Sequence, residues 1–157
     1  MNYLFNGTIN LEQEVDVGVD LIHGGILTVA TPTGVFLYHG DFEGSIWGDP
    51  TTHRRAKLYK RPITDITSAT YVEFADDLHH QCIVDLLYSE MTEKIYVLFM
   101  GNSYISIVDP ITMEAEDFVG EELPAGPTKD NQMGKLAINE HSIYHICQTY
   151  PNTIVIR

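Results

Sequence analysis

Between Ile83 and Gly120 the chain alternates short apolar blocks with polar breaks. Ile83-Val84-Asp85-Leu86-Leu87-Tyr88 gives way to Ser89-Glu90-Met91-Thr92-Glu93. Lys94 to Met100 is apolar again and stops at Gly101-Asn102. Tyr104 to Val108 follows, then the turn Asp109-Pro110-Ile111-Thr112, then Met113 to Val119. Short apolar runs bounded by turn residues predict strands rather than helices. Four antiparallel strands within about 40 residues is the size of one blade of a β-propeller.

The same pattern is fainter elsewhere. Leu21-Ile22 leads through His23-Gly24-Gly25 into Ile26-Leu27-Thr28-Val29, and Pro32-Thr33-Gly34 separates that run from Val35-Phe36-Leu37-Tyr38. Both gaps have hairpin character, with glycine where positive φ is needed. Ala56 to Tyr59 reads as an outer strand and Ala69 to Phe74 as another. Leu136 to Ile138, Ile143 to Cys147 and Thr153 to Ile156 read as three more. No segment has the period of an amphipathic helix, so the chain reads as all-β with antiparallel blades. The near-continuous apolar run Ile95 to Met100 predicts a strand covered on both faces, since a one-sided sheet would alternate.

Three segments resemble one another. Val19-Asp20-Leu21-Ile22 mirrors Val84-Asp85-Leu86-Leu87. Ile26-Leu27-Thr28-Val29 takes the second place with Ile95-Tyr96-Val97-Leu98 and Ile143-Tyr144-His145-Ile146. Val35-Phe36-Leu37-Tyr38 takes the third with Ile105-Ser106-Ile107-Val108 and Ile154-Val155-Ile156-Arg157. This reading divides one domain into an N-terminal strand (1–10), a first blade-like unit (18–60), a poorly defined stretch (61–81), the clearest blade (82–120), a connector (121–134) and a partial last blade (135–157). The run Asn2 to Ile9 could supply the outer strand the last blade lacks. Within one chain that closes a small ring; between chains it joins copies into a homo-oligomer by strand exchange. A β-sandwich or an irregular barrel is the alternative.

From Ile95-Tyr96-Val97-Leu98 to Ile107-Val108-Asp109-Pro110-Ile111-Thr112-Met113, the chain resembles the blade consensus of YVTN, kelch and WD-type propellers. There an aliphatic-Tyr-Val strand leads to a second strand ending at Asp, then to a turn into the outer strand. The Gly-His and Trp-Asp dipeptides of WD repeats and the double glycine of kelch are missing; the one tryptophan, Trp47, sits in Gly44-Ser45-Ile46-Trp47-Gly48-Asp49. The resemblance implies a propeller fold and a habit of binding, and no particular activity. It is also compatible with a structural component of a viral particle.

Composition narrows the classes. The chain has 157 residues, enough for one domain with a core, and no apolar run approaches the ~18 residues of a spanning helix. The N-terminus lacks the basic and long apolar regions of a signal peptide. Two cysteines, Cys82 and Cys147, make no disulfide framework, so a reduced cytoplasmic protein is expected, or a virion protein if viral. A net charge of −13 argues against nucleic acid and anionic membranes as partners. The charge is uneven: Arg54, Arg55, Lys57, Lys60 and Arg61 form a basic run, and Glu114, Glu116, Asp117, Glu121 and Glu122 an acidic one. These read as two solvated faces, or as patches that meet across an interface and set partner choice, or, for the basic run, as a phosphate site.

Candidate chemistry is thin. No nucleophile elbow, phosphate loop, dinucleotide fingerprint or paired-cysteine motif is present. Asp76, Asp77, His79 and His80 carry metal-ligand atoms, but adjacent histidines on extended backbone point to opposite faces, so a polar loop is the plainer reading. His39-Gly40-Asp41 reads as a turn after a strand rather than an acid–base pair. Cys82 and Cys147 border apolar runs without a nearby base and read as buried small hydrophobes. The tyrosines read mostly as core, with one or two left for a binding face. The expectation is a non-catalytic protein–protein interaction or assembly module, with no cofactor. An enzyme or metal protein with a pocket near Asp76 to His80 is the alternative.

Overall fold

The computed structural model of the chain describes residues 25–41, 56–74, 83–99, 105–117, 134–139, 142–147 and 153–156. Those residues are all-β, without helix. Strands β1 (Ile26–Thr31), β2 (Gly34–Asp41), β3 (Lys57–Pro62) and β4 (Thr70–Glu73) form a first antiparallel sheet in chain order. Strands β5 (Ile83–Ser89), β6 (Lys94–Phe99), β7 (Ile105–Val108) and β8 (Ala115–Asp117) form a second. Strands β9 (Gly134–Ile138), β10 (Ile143–Cys147) and β11 (Thr153–Ile156) form a third, with β10 in the middle. Each sheet is a meander, which needs only hairpin connections.

The second sheet is the middle layer. Its trailing face, carrying Ile83, Leu86, Ile95, Val97, Phe99 and Val108, packs into one core with Val29, Tyr38, Leu58 and Phe74 of the first sheet and its flanks. Its leading face, carrying Tyr96, Leu98 and Ile105, packs into a second core with Leu136, Ile138 and Ile143 of the third sheet. Every residue from Ile95 to Phe99 is therefore buried. The apolar run without alternation has its cause there: both faces of β6 are covered. The first strands are neighbours, with β5 against both β1 and β9.

Strand β5 carries a bulge between Ile83 and Asp85, so its register against β6 slips by one at Val84. Val84 packs toward the third sheet, and Asp85 bonds into that sheet as well. A regular strand would have sent these consecutive side chains to opposite faces; the bulge aims both the same way.

Several sequence expectations change. Ile26 to Val29 belongs to the first strand of its sheet, not the second, and Val35 to Tyr38 to the second, not the third. The stretch 61–81 holds the end of β3 and all of β4, so the first sheet runs past residue 60 to Glu73. His39-Gly40-Asp41 lies inside β2 rather than in a turn. Met113 sits in a turn with φ of 62°, and the outer strand begins only at Ala115. The segments 1–10, 19–22 and 121–133, and Trp47, lie outside the described residues.

Candidate functional site

The seam between the first two sheets is closed by the turn that follows β7. Asp109 Oδ1 accepts the backbone N–H groups of Ile111 (2.8 Å) and Thr112 (3.0 Å), and Met113 N donates to Asp109 O (2.9 Å). Asp is placed there because its short carboxylate can cap its own turn. The other oxygen, Oδ2, accepts from Lys94 Nζ at 2.6 Å. The Lys94 ammonium and the Thr112 and Ile111 amides hold the Asp109 carboxyl down to about 2. Left-handed backbone at Met113 strains a non-glycine residue, and its side chain packs into the first core.

Two buried polar groups of the first sheet reach this turn. Tyr38 Oη donates to Pro110 O at 2.7 Å, and Lys60 Nζ donates to Pro110 O at 2.7 Å and Ile111 O at 3.1 Å. Lys60 also lies 4.4 Å from the centre of the Phe36 ring, a cation–π distance. Burial raises the Tyr38 phenol far above its ordinary 10, and the charges of Asp109 and Tyr88 add to this. Burial lowers the Lys60 ammonium below its ordinary 10.5, while Asp109 opposes the shift. Beside Lys60 is a cleft of about 500 Å³, walled by Phe36, Pro62, Thr70, Tyr71 and Met113 among others.

The basic run does not form one solvated face. Lys60 and Arg61 are 8% and 3% exposed, on opposite faces of β3. Arg61 Nε donates to His39 Nε2 at 2.9 Å, and its Nη1 donates to Ile66 O at 3.0 Å and Thr67 O at 3.4 Å. His39 stacks on Tyr59, with ring centres 5.2 Å apart and nearly parallel. Because Arg stays charged, Nε2 of His39 is the accepting atom and the ring is neutral. Burial lowers its pKa most; the contact to Gly40 O opposes the shift, and the Arg61 charge adds a smaller push downward. Lys57 pairs with Glu73 at 4.0 Å. Arg54 and Arg55 lie outside the described residues.

Of the acidic run, Glu114, Glu116 and Asp117 are exposed around β8, the outer edge of the second sheet. Charged side chains on such an edge discourage pairing with another chain. Asp117 accepts from Ser106 Oγ at 3.1 Å. Glu121 and Glu122 are outside the described residues. So are Asp76, Asp77, His79, His80 and Cys82; Cys147 lies at the end of β10. Among the described residues, no three His, Cys, Asp or Glu side chains converge as a metal site, and no helix is long and apolar enough to cross a membrane.

The second seam turns on a residue that sequence reading passed over. Asp85, 8% exposed, accepts from Leu136 N at 2.8 Å and from Lys135 Nζ at 2.9 Å. The bridge joins the first strand of the second sheet to the first strand of the third. A lone Asp inside an otherwise apolar strand was the available signal, because a buried carboxylate needs a partner. No family model, no curated protein and no solved structure matches the chain.

Proposed function

We propose that this chain is a non-catalytic assembly module of the β-propeller type, acting through protein–protein contacts. The observation that carries this reading is the middle sheet. It is a four-stranded meander covered on both faces by like meanders, and its first strand lies between the first strands of its neighbours. Face-to-face stacking of meanders with their first strands together is how propeller blades pack. The polar groups of the seams also serve structure rather than turnover. Lys60, Tyr38, Asp85 and Asp109 all bond backbone atoms or an ion-pair partner within the fold.

The test joins light scattering on a sizing column to amide hydrogen exchange. The expected result is a mass above one chain and slow exchange throughout β6. Single-chain mass at every concentration would remove the assembly half of the reading. Fast exchange along β6 would remove the stacked-sheet half.

A further inference from the structure

Each sheet carries a tyrosine in its second strand, at a fixed place against its first strand. Tyr38 pairs with Leu27, Tyr96 with Leu87 and Tyr144 with Ala137. These three pairs bring the sheets into one register. Leu27 and Leu87 lie on leading faces and pack into the first and second cores. Their equivalent in the last sheet, Ala137, is exposed. One residue earlier, the side chains point to the trailing face. There Leu86 and Leu136 are buried at 7% and 9%, while their equivalent in the first sheet, Ile26, is 59% exposed. Val35 and Tyr71 share that trailing face and are 41% and 53% exposed. On that face Ile26, Val35 and Tyr71 flank the buried His39 and Arg61. The pattern that builds two seams inside the chain thus stops at exposed positions, Ile26 at one end and Ala137 at the other.

We infer that the trailing face of the first sheet, at Ile26, docks on the leading face of the third sheet, at Ala137 and Tyr144, of a second copy of this chain. The contact continues the two internal seams with the same polarity, so it is head-to-tail. Such a contact uses two different patches, one from each copy. A large exposed aliphatic at a position buried in both equivalent seams is where such a contact gains most. The inference rests on the stacked-sheet reading above and names the partner of the exposed positions at its two ends.

The test uses two single substitutions at exposed positions, Ile26→Glu and Ala137→Glu. Each blocks one face and leaves the other intact. Wild type is expected to associate, and each variant alone to run as a single chain, its apparent Kd weakened at least about tenfold. Mixing the two variants is expected to restore a complex of two chains and no more, since one intact contact remains. Val35→Glu, on the same face as Ile26, is expected to behave as Ile26→Glu does, which covers the case in which one variant misfolds. Association unchanged in both variants would overturn the inference. So would self-association of Ala137→Glu alone, which would mean that the first-sheet face pairs with itself. A single-chain wild type with slow β6 exchange would overturn the docking and leave the stacked sheets standing; fast β6 exchange would remove both.

Discussion

Across the first seam Val29, Tyr38 and Leu58 pack against Ile95, Val97 and Phe99; across the second Tyr96, Leu98 and Ile105 pack against Leu136. The first seam also has Phe74 edge-on to Phe99 at 4.8 Å, and two polar clamps on the Pro110 carbonyl. Across the second, among the described residues, the carboxylate of Asp85 is bonded to Leu136 N. The difference lies in the polar bonds that cross each seam. A carbonyl held by two donors keeps one when the other is removed, whereas a buried amide that loses its carboxylate acceptor is left unsatisfied.

The largest expected effect is at Gly25, immediately before β1. A Cβ there would collide with the backbone N of Leu86 and lie 2.8 Å from its Cβ. Backbone has no rotamer with which to move aside, so the first strands could no longer approach as they do. Gly25→Val is expected to destabilise the chain by roughly 3 kcal/mol or more, read from urea unfolding. A loss below about 1 kcal/mol would mean that this close approach does not hold the first seam together.

Asp85→Ala comes next, and its effect should be local. It strips the Leu136 amide of its acceptor in a buried place, at about 2–3 kcal/mol. Exchange in β9 and β10 should accelerate while β2 and β6 keep their protection. Uniform acceleration across all three sheets would erase the contrast between the seams. Lys60→Met ranks third. Its partners are two carbonyls, and Tyr38 still serves the first of them. The expected loss is about 1 kcal/mol, because an apolar isostere avoids the desolvation of a buried ammonium. A loss matching that of Asp85→Ala would mean that Tyr38 does not stand in for Lys60 at the Pro110 carbonyl.

The first three strands of the second sheet were legible in the sequence because each is short, apolar and bounded by turn residues. Ile83–Ser89, Lys94–Phe99 and Ile105–Val108 fall within a residue or so of the expected runs. The register of the first sheet was not legible. Leu37-Tyr38, Ile95-Tyr96 and Ile143-Tyr144 share an aliphatic–tyrosine pair that marks the second strand in each sheet. Alignment on the Val-Asp-Leu segments shifted the first sheet by one strand. Strand β4 was legible within the run Ala69 to Phe74, but its place in the first sheet was not, for a different reason. It is an edge strand with three of its four residues exposed, so its pattern says little about which sheet it joins. The buried cations were illegible for a third reason. Charge alone marks a surface, and only the fold shows that Lys60 has carbonyls, and Arg61 a histidine and carbonyls, to bond.

The smallest effect is a pH dependence, and it bears on the outer face of the first sheet rather than on either seam. His39 is 1% exposed, and its Nε2 accepts from Arg61 Nε at 2.9 Å. Protonation would turn that acceptor into a second donor facing a guanidinium. Burial foremost, with the guanidinium adding to it, holds the folded pKa below the ordinary 6.5, so the unfolded chain takes up the proton first. Stability is full above about 6.5 and falls as pH drops through that value toward the folded pKa. Asp109 has the same sign in a lower window: its contribution is present above the ordinary 3.8 and is lost as pH falls toward about 2. The Asp109 loss begins only near 3.8, so a fall between pH 7 and pH 5 belongs to His39 rather than to Asp109. His39→Gln keeps a neutral side chain with an acceptor atom and does not titrate. Between pH 7 and pH 5 the urea midpoint of the wild type should fall more than that of His39→Gln. Parallel curves from pH 7 to pH 5 would mean that His39 can take its proton in the folded state, and that the bond from Arg61 does not fix it as the neutral ring.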